Sequence, residues 1–348
     1  MNSLVVLCGG REGEAWLYQR ALRRLVGPER LRLVADDPEV AAARAARWGL
    51  TACAGFEAAL GIRTARIFVL LHPFAERTAR AREALAGRRA VALSPPFARS
   101  AEEGRQLVQF AGLKRATLCA LEPLLQQSAL LKLLEIADQD RLGHISLLRL
   151  RSLLAGSGGW DPCLTPDFAA AEPAPDIPAA ELLFREIAEK VSIAERIGGP
   201  LTEIVHQGRL GEAGSVLVAW KHAADRRYGH LEIVRAPGIR LRSPFDPRED
   251  TVELTGSAGV AWASHGMGSL RNEPAVRFYL QEDLLCYQRV DEEFGFGIHA
   301  AVKAFLERAE ARTLDGPALR RVVDALAAAE IAVKGGADGQ RRPTGPRW

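Results

Sequence analysis

The chain has 348 residues, 48% hydrophobic and 26% charged, which suits two domains, or one unusually large one, with a substantial core and the balance of an ordinary globular protein. Its 46 basic and 43 acidic side chains leave a formal net charge of +3, which gives no ground for a nucleic-acid or anionic-membrane partner. It lacks a run of about 18 apolar residues, so no transmembrane helix is expected, and residues 1–9 lack the regions of a signal peptide and read as a strand.

Five cysteines, Cys8, Cys53, Cys119, Cys163 and Cys286, stand far apart with no CxxC pair, and read as buried free thiols of a reducing cytoplasm. The seven histidines form no HxH or HExxH spacing, so no metal site is expected. Ser94 has no adjacent base, which leaves a hydrolase nucleophile unsupported.

Strands and helices alternate through the first 120 residues. Residues 3–8 form a continuous apolar run ending in Gly9-Gly10, as in a strand buried on both faces. A helix is predicted over 14–26, a strand over 31–35, and a helix from Pro38, where the missing N–H is harmless. Further strands are predicted over 67–71, 90–93 and 116–120, with helices over 75–86 and 101–111. Ser100 caps the latter, and Glu102 and Glu103 occupy its first turn. Such βα repeats mean an open parallel sheet with ligands at the strands' carboxyl ends.

One more helix is predicted over 124–139 and a strand over 145–151. Residues 155–180, rich in Gly, Pro and Ala, read as a surface excursion. A helix over 179–197 stops at Gly198-Gly199-Pro200. From 201 to 287 strands follow one another without helices, at 204–209, 215–222, 229–235, 239–242, 250–255 and 259–264, the mark of an antiparallel sheet. His265-Gly266-Met267-Gly268 reads as a structural turn. Helices over 299–309 and 317–334 close the chain, and a tail rich in Gly, Pro and Arg reads as disordered.

A dinucleotide fingerprint needs a glycine-rich turn directly after the first strand, so that the backbone can approach the pyrophosphate. Here Gly9, Gly10 and Gly13 supply glycine, but in register Gly10, Glu12 and Ala15 take the three fingerprint positions. At about 5 Å and an effective dielectric near 20, a carboxylate repels a phosphate by roughly 3 kcal/mol before solvent screening. A structural turn and a working cofactor site both answer to this segment. Asp36 ends the second strand where a carboxylate can bind a ribose 2′-hydroxyl, favouring NAD over NADP; it also suits a helix cap.

The combined pattern resembles the Gfo/Idh/MocA (glucose-fructose oxidoreductase / inositol dehydrogenase) family over about residues 3–335. The resemblance rests on Leu33-Val34-Ala35-Asp36 and on Val91-Ala92-Leu93-Ser94-Pro95-Pro96. In the second half it rests on Tyr228-Gly229-His230-Leu231-Glu232, on residues 252–259, and on Trp262-Ala263-Ser264-His265-Gly266. It implies an α/β Rossmann-type N-terminal domain (1–121) and an α+β C-terminal domain with a large, mostly antiparallel sheet (122–334, closing helices included). Residues 335–348 follow as the tail. It also implies a homodimer or higher oligomer and a sugar or cyclitol ligand.

The family oxidises a carbinol with NAD(P), using the lysine of a Glu-Lys-Pro motif and an aspartate and histidine on a second-domain helix. A base must take the hydroxyl proton, and a cation must hold the developing alkoxide. This sequence departs at each point. Ser94-Pro95-Pro96 replaces Glu-Lys-Pro, and the aspartate and histidine fall near Arg185 or Glu186 and Ala188 or Glu189. Glu186 and Lys190, four apart on one helical face, can form an ion pair. One reading makes Lys190 a substitute cation and Glu186 or Glu189 a substitute base; the other makes them a solvated helix face. His72 and Ser94 follow strands that line the family's nicotinamide pocket.

Two functions follow. One is a non-catalytic, ligand- or partner-binding homologue with NAD binding weak or lost. The other is an NAD-dependent dehydrogenase or reductase with a rearranged site.

Overall fold

The computed structural model of the protein describes residues 3–10, 12–71, 75–157, 179–208, 213–223, 227–241, 248–266, 276–280, 283–287, 295–335 and 342–343. These divide into two compact units. One holds the described residues up to Pro123 together with 295–323; the other holds those from 124 to 287 and from 324 onward.

The first unit alternates strand and helix: β1 (Leu4–Gly9), α1 (Glu12–Val26), β2 (Leu31–Val34), α2 (Pro38–Trp48), β3 (Thr51–Ala52), α3 (Phe56–Gly61), β4 (Ala65–Leu71), α4 (Arg77–Ala86), β5 (Ala90–Leu93), α5 (Ala101–Lys114) and β6 (Leu118–Ala120). The six strands are parallel and lie in the order β3-β2-β1-β4-β5-β6. Val5, Val6, Leu7 and Cys8 are all buried, which is why β1 shows no polar alternation. Ser100 caps α5 by accepting from Glu103 N at 3.1 Å, and Glu103 reaches back to Arg99 N at 2.8 Å. β3 and α3 are not among the elements expected from the sequence.

The second unit runs α6 (Ser128–Asp138), β7 (Ile145–Ser157), α7 (Ala179–Gly198), β8 (Leu201–Gly208), β9 (Gly214–His222), β10 (Tyr228–Leu241), β11 (Arg248–Gly256), β12 (Gly259–Gly266), β13 (Val276–Leu280) and β14 (Asp283–Tyr287). α8 (Phe296–Ala311) belongs to the first unit, where it packs on α1, and α9 (Gly316–Gly335) begins in the first unit and ends in the second. From the sequence both closing helices are expected in the second domain. β15 (Arg342–Pro343) pairs antiparallel with Ile204 and Glu203 of β8; the rest of the tail lies outside the described residues.

The second sheet orders its strands β14-β13-β12-β11-β7-β10-β9-β8-β15 and is antiparallel except between β7 and β10. Its strands alternate. Leu148, Leu150, Leu231, Ile233, Val252, Leu254, Val216 and Val218 are buried, and α6 and α7 pack on this sheet. β10 is one strand where two were expected. Its register slips between Ala236 and Arg240, around Pro237, which has no N–H for the ladder. His265 and Gly266 end β12; Met267 and Gly268, the rest of the expected turn, lie outside the described residues.

Candidate functional site

The carboxyl end of the first sheet collects five of the residues expected to hold a cofactor. β1 has β2 on one side and β4 on the other, the reversal at which such sheets open a crevice. Gly9 and Gly10, with φ of 72° and 86°, close β1. A Cβ on Gly10 would lie 2.9 Å from Leu71 Cβ, so both conformation and space require glycine there. Gly13 follows in the first turn of α1, and Ala15, in the third fingerprint position, is fully buried. Arg44, buried on α2, donates from Nη1 to Gly10 O at 3.0 Å.

Asp36 stands exposed just beyond β2. The helix cap is its neighbour Asp37, whose side chain accepts from Glu39 N at 2.8 Å. Ser94 continues β5 and donates its N–H to Leu70 O at 3.2 Å. Buried Arg77 donates from Nη1 to Ser94 O at 2.6 Å and to Pro96 O at 2.7 Å, bracing the Ser94-Pro95-Pro96 turn. The Ser94 hydroxyl is fully buried with no hydrogen-bond partner among the described residues. His72 lies outside the described residues, as does the side chain of Glu12.

The second unit holds the other candidates, and they are not a solvated face. Glu186 and Lys190 are 5% and 1% exposed, tucked between α7 and the sheet. Lys190 Nζ lies 3.0 Å from Asp250 Oδ1, 3.6 Å from Glu186 Oε2 and 3.7 Å from Glu189 Oε2. Arg248 bridges the same acids, at 3.0 Å to Asp250, 3.0 Å to Glu189 and 3.4 Å to Glu186. Ser152 Oγ donates to Asp250 Oδ1 at 2.7 Å. Burial works to raise the Asp250 carboxyl; Arg248, then Lys190, then the Ser152 hydroxyl overcome it and hold it far below the usual aspartate range.

Asp250, Arg248 and Ser152 are not among the site residues expected from the sequence. A signal existed. Asp250 shares the inward alternation of Val252 and Leu254, and Ser152 that of Leu148 and Leu150, so both are polar residues in core register. The network's two cations, Lys190 and Arg248, sit among the three carboxylates of Glu186, Glu189 and Asp250 at 3.0–3.7 Å.

No family profile matches the sequence, and neither does any curated protein. Solved structures do match. Levoglucosan dehydrogenase aligns over 99% of this chain and 99% of its own, at 13% identity and a TM-score of 0.77. GenD2 from gentamicin A biosynthesis, in complex with NAD, covers 99% and 97%, at 18% identity and a TM-score of 0.73. Biliverdin reductase from Synechocystis sp. PCC 6803, in complex with biliverdin and NADP+, covers 97% and 100%, at 14% identity and a TM-score of 0.72. The chain has the fold of the Gfo/Idh/MocA oxidoreductases. Identities this low carry the fold and not the chemistry.

Asp36 is exposed at the strand end and is not the α2 cap. α1, whose N-terminus would receive the phosphates of a dinucleotide, begins at Glu12. Where a Gfo/Idh/MocA enzyme carries a lysine after β5, this chain carries Pro95, which has no proton to exchange. Among the described residues no group of three His, Cys, Asp or Glu could hold a metal ion, and no helix is long and apolar enough to cross a membrane.

Proposed function

We propose that this chain is a non-catalytic homologue of the NAD(P)-linked dehydrogenases, binding a small polyhydroxylated ligand of the sugar or cyclitol class. In this reading nicotinamide dinucleotide binding is weak or lost. The observation that carries it is the enclosure of Lys190. The one lysine on α7 is held at 3.0–3.7 Å by three carboxylates, while the turn after β5 offers prolines. Hydride transfer needs a proton acceptor and a cation free to meet the substrate. Levoglucosan dehydrogenase, in complex with NADH and levoglucosan, supports the ligand class.

Titration of the purified chain with NADH, followed by fluorescence, is expected to give a dissociation constant weaker than about 100 µM, short of about −5.5 kcal/mol. Glu12→Gly is expected to tighten it. Low-micromolar binding by the unaltered chain, or no gain from Glu12→Gly, would overturn this reading of the loop.

The second reading, an active dehydrogenase with Lys190 as cation and Glu186 or Glu189 as base, is favoured by the exposed Asp36. Turnover of a sugar or cyclitol with NAD would establish it. Under either reading the chain acts as a homodimer or larger in a reducing cytoplasm. The open face of the second sheet and the buried free thiols Cys8, Cys53 and Cys119 support this; Cys286, expected to be buried, is exposed.

A further inference from the structure

The carboxyl end of α7 rests on β9 through one imidazole. Trp220 and His222, two residues apart on β9, both turn into the core. Trp220 Nε1 donates to His222 Nε2 at 3.0 Å, and His222 Nδ1 lies 2.9 Å from Gly199 O, just past the end of α7. An indole nitrogen only donates and a backbone carbonyl only accepts. The neutral imidazole with its proton on Nδ1 is therefore the one form that satisfies both ends. A second proton, on Nε2, sets N–H against N–H and removes the Trp220 bond.

Both rings pack directly on a glycine backbone. Each occupies a slot left by a glycine. A Cβ on Gly198 would lie 2.5 Å from His222 Cε1, and one on Gly229 would lie 2.4 Å from Trp220 Nε1. Interiors packed to this density transmit a lost contact rather than absorb it.

We propose that His222 is a proton-operated latch between α7 and β9: neutral, it ties the end of the helix to the strand; protonated, it releases Trp220 and loosens that end. The groups facing it are few among the described residues. From β8 comes its register partner Leu201, which is apolar. From the end of α7 comes the Gly199 carbonyl, which favours the cation. From the approach to β10 comes Arg227, whose carbonyl accepts the His222 backbone N–H at 3.0 Å and whose charge disfavours the cation. Burial is the largest influence and pushes the imidazole below its ordinary value; the Gly199 carbonyl partly offsets this, and Arg227 adds to it. The latch therefore opens as pH falls below the ordinary histidine range. It acts on the helix that carries Glu186, Glu189 and Lys190, but it does not depend on what those residues bind.

The test uses the full chain with 15N-labelled tryptophan. The Trp220 indole resonance, assigned by its loss in Trp220→Phe, is followed from about pH 7.5 to about pH 5. Amide exchange at residues 195–199 is measured alongside. The expected result is a shift with a midpoint below the ordinary histidine value, and a several-fold rise in exchange with the same midpoint. His222→Gln offers an amide oxygen to Trp220 and an amide nitrogen to Gly199, and is expected to abolish the midpoint. An indole resonance that does not move, or a midpoint that persists in His222→Gln, would refute the latch. Should His222→Gln fail to fold, Trp220→Phe serves. Without the indole donor the His222 midpoint, read from its own Cε1 proton, is expected to rise; an unchanged midpoint refutes the proposal equally.

Discussion

Asp250 is the residue on which the buried network turns. It is 6% exposed, it accepts from Ser152, and both cations of the cluster, Lys190 and Arg248, lie 3.0 Å from it. Removing one partner of a buried pair leaves the other charge uncompensated, which typically costs about 3 kcal/mol or more. Asp250→Asn is therefore expected to lower the free energy of unfolding by about 3 kcal/mol near neutral pH, read from denaturant midpoints. The pH dependence has a definite sign. The folded-state carboxyl is depressed, so its stabilisation is fully present above the ordinary aspartate value of 3.8 and is lost as pH falls below that value. The gap between the unaltered chain and Asp250→Asn should close in acid. A gap that stays constant from neutral pH into acid would mean that packing, not charge, sets the cost.

At the scale of elements, the joint between α7 and the sheet explains both what the sequence revealed and what it concealed. The buried runs of β1, β4 and β5 and the cap at Ser100 were readable, because each is a local pattern in which neighbouring residues carry the signal; the cap of α2 was sought at Asp36 and lies one residue on, at Asp37. β3, two residues long, is too short to show a period. β13 and β14 were missed because the residues between them, Gln281 and Glu282, include no turn-forming Gly, Asn or Pro.

The α7 network was hidden for a different reason. An acid and a base four apart on a helix look like a solvated stripe unless one knows that Asp250 faces them from a strand some sixty residues away, and that register is a tertiary fact. The same joint makes Gly229 specific. With Trp220 occupying the space of its missing side chain, Gly229→Ala is expected to destabilise the fold by about 1–3 kcal/mol through overpacking. Gly238→Ala, with nothing within 4 Å of its Cβ position, is the matched control in the same strand. Equal effects of the two substitutions would show that strand propensity, not the Trp220 slot, governs the site.

For the whole molecule, the second sheet has one face that no helix of its own unit covers among the described residues. Its residues run in register across five strands, His230 beside Arg149, Arg149 beside Glu253, Glu253 beside Trp262 and Trp262 beside Arg277. Arg149 and the Trp262 indole both donate to Glu253, at 3.0 and 2.7 Å, and Trp262 meets Tyr279 edge to face. Tyr228 and Tyr279 remain 49% and 46% exposed, and Leu217 is also exposed. Aromatic rings and arginines are the residue types enriched at protein–protein interfaces. A two-fold axis through such a face can set each arginine against a glutamate of the second copy. Sedimentation equilibrium at about 10 µM is expected to find a dimer or larger assembly, since an isologous interface of standard size holds at that concentration. Tyr228→Glu combined with Tyr279→Glu places two added acids on this face of each copy. It is expected to shift the chain to monomer while the far-ultraviolet circular dichroism stays that of the folded protein. An unaltered chain that sediments as a monomer, or a double variant that still assembles, would move the contact away from this sheet.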